Sequence, residues 1–198
     1  MKRIRIATGN PGKLKEFRQM LEPLGYEVMD LSDLPNLTIV EDGDTFDANA
    51  VKKARTVLEL TGEPTVADDS GLVVDALDGR PGVYSARYAE PGPDQDLRNN
   101  EKLLQEMQGV SDKDRTARFV CSLAYCEPGA PPKLFGGKFE GSIGHEESGR
   151  NGFGYDPLFL VEGRQQTSAE LTPTEKNEIS HRAKALTQLL AFLKTHSG

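Results

Sequence analysis

Tryptophan is absent from this chain of 198 residues, and cysteine is nearly so, with two copies. Cys121 and Cys126 stand five apart in an alternating stretch. They therefore face opposite sides of a strand and suit neither a disulfide framework nor a zinc site. They read as small core residues in a reducing compartment. Long apolar runs are missing too: nothing approaches the ~20 residues of a membrane span. Ile4-Arg5-Ile6-Ala7 interrupts the stretch that a signal peptide would need after Met1-Lys2-Arg3. The expected location is the cytoplasm, with no membrane partner. Positive charge is in deficit, 24 Lys and Arg against 31 Asp and Glu, for a formal net charge of -7. A surface of that sign repels polyanions, so nucleic acid is not an expected partner and any phosphate site must be local.

What is present is ordinary for a globular core: 36% hydrophobic residues, with eight Phe and five Tyr. The length predicts one domain over 1–198, built as two lobes with one active site. Arg3-Ile4-Arg5-Ile6 alternates as a strand, and Leu14, Phe17, Leu21 and Leu24 recur at helical spacing. A strand is expected at Tyr26 to Leu31. A helix on Phe46, Ala50, Ala54, Val57 and Leu58 follows, capped by Asp44 or Thr45 and closed at Gly62. Thr65-Val66-Ala67 and Leu72-Val73-Val74 flank a polar tetrapeptide, and a helix is expected from about Asp94 to Met107. Ala117, Phe119, Cys121, Leu123 and Tyr125 mark the clearest strand, with a return strand at Leu134 to Phe139 and another at Pro157 to Val161. Thr172-Pro173-Thr174-Glu175 is a capping box that opens the last helical region. Early strand and helix alternation followed by paired strands predicts a mixed α/β (α+β) fold around a long mixed sheet.

Four segments carry chemistry. Thr8-Gly9-Asn10-Pro11-Gly12-Lys13 joins the first strand to the first helix, so backbone N–H groups, the positive helix end and Lys13 can meet one anion. It is not a Walker A loop, since Ala7 and Leu14 stand where Gly and Ser or Thr are needed. The competing reading is a tight turn with a surface lysine. Asp68-Asp69-Ser70-Gly71 places adjacent carboxylates where the chain is expected to leave a strand. Either a cation such as Mg²⁺ neutralises them, or they form a polar turn. Gly152-Phe153-Gly154-Tyr155-Asp156-Pro157 offers glycines for close approach and aromatics that stack on a base or pack inward.

Lys176 and Ser180-His181-Arg182 add donors, which suit the O6 acceptor of a 6-oxo purine and oppose a 6-amino group at a cost of ~1–3 kcal/mol. Successive helical residues turn by about 100°, so Lys176, His181 and Arg182 cannot share one face of an unbroken helix. A break before Ser180, with Ser180 recapping, is expected. Asn49 and Lys53 stand at i and i+4 on the second helix and present either a site face or an exposed polar pair. Glu41-Asp42 reads as a cap or as a metal-side acid.

In this order the four motifs resemble the inosine triphosphate pyrophosphatase family, of the Ham1 type. Pro81-Gly82-Val83-Tyr84-Ser85-Ala86-Arg87-Tyr88 is similar to that family as well, as is Asn49-Ala50 with Lys53-Ala54. The resemblance spans nearly the whole chain. It implies a homodimer of two-lobed subunits with the site in the cleft, cleaving ITP, dITP and XTP between the α and β phosphates with Mg²⁺. It also implies roles: Thr8, Gly9, Asn10, Pro11, Gly12 and Lys13 hold the triphosphate, Asp69 orders metal and is the base for water, and Ser70 touches substrate. Phe153, Gly154, Tyr155, Asp156, Lys176, His181 and Arg182 hold the purine. Glu41 matches the second metal-side acid, and Asp68, Asn49 and Lys53 are further candidates. The alternatives are a Maf-type pyrophosphatase with another base preference and a nucleotide sensor without turnover.

Overall fold

Two basic side chains alternating with Ile4 and Ile6 place one apolar row on β1 (Lys2–Ile6), and parallel partners flank it on both sides. The computed structural model describes residues 2–195. β1 pairs with β2 (Tyr26–Met29) from Lys2↔Tyr26 and with β3 (Thr65–Val74) from Arg5↔Thr65. Parallel neighbours need crossover connections. α1 (Pro11–Leu21) and α2 (Phe46–Thr61) supply them. Pro11 starts α1 because its missing N–H costs nothing in the first turn, and its fixed φ suits a helix. Thr45 caps α2 by accepting from the Ala48 N–H, and Gly62 ends it at φ 68°, a left-handed conformation that strains any residue with a Cβ.

The chain continues through α3 (Gln95–Glu106), β4 (Thr116–Cys126), β5 (Lys133–Ile143), β6 (Phe159–Val161), α4 (Pro173–Ile179) and α5 (His181–Thr195). The six strands form one sheet in the order β2-β1-β3-β4-β5-β6. β5 and β6 run antiparallel from Gly141↔Val161 to Ile143↔Phe159, so the sheet is mixed, as the sequence predicts.

The chain divides into two compact units. The first comprises the chain up to Asp69, Cys121–Gly136 and the chain from Ala185; the second comprises Ser70–Val120 and Gly137–Lys184. In the first unit Ile4, Ile6, Val66, Cys121 and Leu123 pack with Phe17 and Leu21 of α1 and with Ala185, Leu186 and Leu189 of α5. Ala7, Ala67, Ala124 and Cys126 pack instead with Ala50, Ala54 and Val57 of α2. The two cysteines are thus on opposite faces and buried. Fully buried side chains such as Phe17 and Leu21 each contribute roughly 1.5–3 kcal/mol of burial. The second unit has its own core, with Leu72, Val74, Leu103, Met107, Phe119, Phe139, Tyr155 and Phe159.

Several boundaries depart from the sequence reading, among them the end of the return strand, which runs on past Phe139 to Ile143. Asp68-Asp69-Ser70-Gly71 is not a turn after a strand: β3 runs straight through it for ten residues. The segment from Pro157 is not strand at its start, because Asp156–Leu158 forms a 3-10 turn with Pro in its first turn, and β6 begins at Phe159. β2 stops at Met29, where Asp30 instead turns to bind the backbone and side chain of Ser32.

Candidate active site

β3 decides where the acids point. Side chains alternate across a strand, so Asp68 and Asp69 leave opposite faces. Asp68 lies on the face of Val66, fully buried, 2.5 Å from Lys13 Nζ of α1 and 3.1 Å from the Cys121 thiol. Asp69 lies on the α2 face, also buried, with its Oδ1 3.6 Å from Lys53 Nζ. The reading of two like charges facing one cation is therefore corrected: each carboxylate has its own lysine, and this is what allows a polar pair inside a strand.

α2 presents Asn49 and Lys53 together, both buried, so they are not an exposed polar pair. Lys53 Nζ is also 3.1 Å from Glu41 Oε1, so one ammonium joins Glu41 and Asp69. Asn49 grips the Gly43 peptide from both sides: its Oδ1 accepts from the Gly43 N–H at 2.8 Å, and its Nδ2 donates to the Gly43 carbonyl at 3.3 Å. That clamp fixes the loop carrying Glu41. A Cβ on Gly43 would stand 2.7 Å from Asn49 Oδ1, so the approach requires glycine.

Burial raises the Asp69 pKa above the ordinary aspartate value, against the opposing pull of the Lys53 and Lys13 charges and a hydrogen bond from Asn49. Nearby Glu41 adds to the rise. Asp69 Oδ2 is buried with no hydrogen-bond partner among the described residues. Such an orphan acceptor costs free energy unless something else approaches it. Among the described residues no group of three or more His, Cys, Asp and Glu is assembled as a metal cage. A pair of carboxylates suffices for Mg²⁺, which is held by one or two acids, water and substrate phosphate oxygens. Asp69 and Glu41 fit that donor set.

The loop before α1 stays open. Thr8 Oγ1 accepts from the Asn10 N–H at 3.1 Å, and Asn10 Oδ1 accepts from the Lys13 N–H at 3.0 Å as the helix cap. Two of the loop's N–H donors are thereby used internally. A Cβ on Gly9 would meet nothing within 4 Å, so the loop is open at this point.

In the second unit the helix break falls where it is expected. α4 ends at Ile179, Ser180 is extended at ψ 163°, and its hydroxyl accepts from the Ala183 N–H at 3.2 Å to recap α5. Lys176 and Arg182 then converge on one aromatic: the Lys176 Nζ is 4.9 Å from the Phe153 ring centroid, and the Arg182 guanidinium 6.0 Å. Lys176 is held by Asp156 at 2.6 Å, and Arg182 donates to Ser70 Oγ at 3.0 Å. Asp156 also accepts from the Phe153 N–H at 3.0 Å, and Gly152 is essential to that turn, since a Cβ there would fall 2.0 Å from Asp156 Oδ2.

The rings of two candidates lie in the packing. The Tyr155 ring belongs to the core, and its hydroxyl donates to the Ser85 carbonyl at 2.6 Å, so this ring packs inward and leaves Phe153 as the half-buried aromatic. His181 stacks on Phe119, 5.0 Å between centroids and 16° from parallel, so its ring is part of the packing on β4. Sequence reading missed the residues of α3 that hold this loop: Gly154 donates to Asp96 Oδ2 at 2.9 Å, and Asn100 Nδ2 donates to the Gly154 carbonyl at 3.2 Å. Their i, i+4 spacing is the signal, legible once α3 is known to face the loop.

Comparison with known proteins gives the same family. The dITP/XTP pyrophosphatase of Bacillus licheniformis is 54% identical over 194 residues, covering 98% of both chains. That of Bacillus subtilis is 50% identical, again over 98% of each. The structure of the Staphylococcus aureus Ham1 protein superposes with a TM-score of 0.87 at 40% identity, covering 98% of this chain and all of that one. A sequence profile of the Ham1 family matches residues 4–192, and the chain belongs to that family.

Proposed function

We propose that this chain hydrolyses purine nucleoside triphosphates bearing a 6-oxo base, with dITP, XTP and ITP as substrates, to the nucleoside monophosphate and pyrophosphate. The relatives named dITP/XTP pyrophosphatase, at about half identity over full length, support the reaction. The observation that carries the chemistry is Asp69: a buried carboxylate within a strand, its Oδ2 without a hydrogen-bond partner among the described residues and its pKa raised above the ordinary aspartate value by burial.

In this reading Thr8, Gly9, Asn10, Pro11, Gly12 and Lys13 bind the triphosphate. Lys13 takes up charge that develops on the phosphate oxygens, and Asp68 holds its ammonium in place. Asp69 and Glu41 are the residues that would hold Mg²⁺, which when bound supplies charge neutralisation to the phosphates. Asp69 orients a water and removes its proton as the water oxygen attacks the α-phosphorus in line. The bond from that phosphorus to the bridging oxygen breaks, and pyrophosphate leaves with the electron pair. Lys53, between Glu41 and Asp69, keeps the two acids from repelling each other before substrate arrives.

Ser70, Phe153, Gly154, Asp156, Lys176 and Arg182 read the purine. Phe153 offers its ring face, and the Lys176 and Arg182 donors beside it match an O6 acceptor. Tyr155 and His181 serve from the packing beneath. The family resemblance further implies a homodimer working in the cytoplasm; no helix among the described residues is long and apolar enough to cross a membrane.

The test is a panel of dITP, XTP, ITP, GTP and ATP with Mg²⁺ or with EDTA, scored by pyrophosphate release. Release from dITP, XTP and ITP, much faster than from ATP and abolished by EDTA, is expected. Equal rates on ATP remove the base reading, and nucleotide binding without product would make the chain a sensor.

A further inference from the structure

The loop proposed to read the purine is held by α3, a helix that supplies none of the proposed substrate ligands itself. Both polar groups of the Gly154 backbone are engaged by α3: the N–H donates to Asp96 Oδ2 at 2.9 Å, and the carbonyl accepts from Asn100 Nδ2 at 3.2 Å. Residues four apart lie one above the other on a helix, so Asp96 and Asn100 form a two-pronged clamp on one residue. The orientation of the Asn100 amide is determined, because its nitrogen faces two acceptors, the Gly154 carbonyl and Glu147 Oε1 at 2.7 Å. Asn99, between them, donates to the carbonyls of Ser85 and Ala86 at 3.3 and 3.2 Å. The Ser85 carbonyl is also the acceptor of the Tyr155 hydroxyl. α3 therefore secures two consecutive loop residues, Gly154 directly and Tyr155 through Ser85.

The clamp has mechanical work to do. Gly152 and Gly154 both have positive φ, 75° and 60°, so Phe153 is flanked on both sides by residues in the left-handed region. A turn of this kind samples other conformations unless its backbone groups are tied. On the inner side Asp156 ties the Phe153 N–H and Lys176. On the outer side only α3 is engaged with Gly154 in the contacts described.

We propose that Asp96 and Asn100 are positioning residues for purine discrimination: they hold the Gly154 peptide so that the Phe153 ring keeps its place against Lys176 and Arg182. This rests on the assignment of that loop to base recognition. The chemistry is backbone anchoring, with the charge-assisted bond that the Gly154 N–H donates to Asp96 as the stronger prong. A shift of an ångström in a recognition element is enough to degrade the complementarity that separates one base from another.

Asp96 is exposed, so its variants keep the fold. In the full-length protein Asp96→Ala should lower kcat/KM for dITP about tenfold, chiefly through KM, while the value for ATP changes little, so the dITP to ATP ratio falls. Asp96→Asn keeps an acceptor for the Gly154 N–H and should recover most of the ratio. Hydrogen exchange at the peptide spanning Gly154 should be faster in Asp96→Ala than in wild type or Asp96→Asn. Asn100→Asp, which sets a carboxylate against the Gly154 carbonyl and Glu147, should repeat the Asp96→Ala pattern. An equal fall on both nucleotides, an unchanged ratio, or an Asp96→Asn variant no better than Asp96→Ala overturns the proposal. If wild type itself does not prefer dITP to ATP, the base-recognition reading fails and the clamp falls with it; if wild type discriminates and Asp96→Ala still does, the clamp alone fails.

Discussion

Asp68 and Asp69 are neighbours of identical chemistry whose surroundings give them different work. Asp68 is sealed against Lys13 and the Cys121 thiol, and its charge is spent inside the protein. Asp69 keeps one oxygen without a hydrogen bond among the described residues and sits where burial disfavours its charge. Asp68→Asn should therefore cost mainly stability, about 3 kcal/mol, because it leaves the Lys13 ammonium facing a neutral amide. Asp69→Asn should fold and bind nucleotide yet lose roughly 10²–10⁴-fold in turnover, the usual contribution of a positioned base. Denaturant unfolding and single-turnover kinetics on the two variants separate these outcomes, and the reverse pattern would exchange the roles assigned here.

Elements carry the next set of constraints. β5 passes so close to the start of α5 that a Cβ on Gly137 would stand 2.0 Å from the His181 carbonyl oxygen. Backbone cannot swing aside as a side chain does, so Gly137→Ala should destabilise by about 3 kcal/mol, the upper end for overpacking, and displace His181 and Arg182. Its melting temperature and its dITP to ATP ratio should both fall. The turn after β2 is tied to β1 differently, by Arg5, whose buried guanidinium reaches both oxygens of Asp33 at 2.6 and 2.9 Å and the Asp30 carbonyl at 2.6 Å. The hydrogen bond from Arg5 holds the Asp33 pKa below the ordinary range, and the Ser32 hydroxyl does the same for Asp30. For carboxylates depressed on folding, the unfolded chain takes up protons first. Their stabilisation is present above the unfolded value of about 3.9 and is lost as pH falls through the lower folded value. Thermal melts from neutral pH downward should show the gap between wild type and Asp33→Asn closing below about pH 4; a gap that stays constant would place the Asp33 contribution elsewhere.

At the scale of the whole molecule, charge and binding chemistry have opposite signs. The chain carries a net charge of -7, yet the proposed ligand is a polyanion. In the proposed site the attraction is local: Lys13, Gly9, Gly12 and the α1 end would act within a few ångströms, whereas the net field extends over a Debye length and repels long polyanions. Duplex DNA should accordingly show no mobility shift with this protein at near-physiological salt, while triphosphate binding persists. Each of the two compact units has its own core, and β3, β4, β5 and α5 each run from one unit into the other, at Asp69/Ser70, Val120/Cys121, Gly136/Gly137 and Lys184/Ala185. The acid assigned to water and the hydroxyl assigned to the base side are thus consecutive residues of one strand.

Much of this was legible without coordinates, because it depends on periodicity and local stereochemistry. The crossover helices, the Thr172 cap, the Gly62 stop, the opposed cysteines and the break before Ser180 follow from side-chain spacing and from what Gly, Pro and Thr permit at a helix end. The four motifs were legible too, and their resemblance to the Ham1 family, not their spacing alone, pointed to that family. Partners far apart in sequence were beyond that reach. Local polarity made Asp68-Asp69-Ser70-Gly71 look like a turn, whereas distant partners, Lys13 and Lys53 from separate helices and Arg182 on Ser70, satisfy it as strand. Tyr155 and Phe153 have equal claims as aromatics in a glycine loop, and it took the Ser85 carbonyl to draw one inward and the Lys176 and Arg182 cations to flank the other. Propensity and spacing are properties of a short segment, whereas the cost of burying a charge or a hydroxyl is set by whichever distant group the fold brings to meet it.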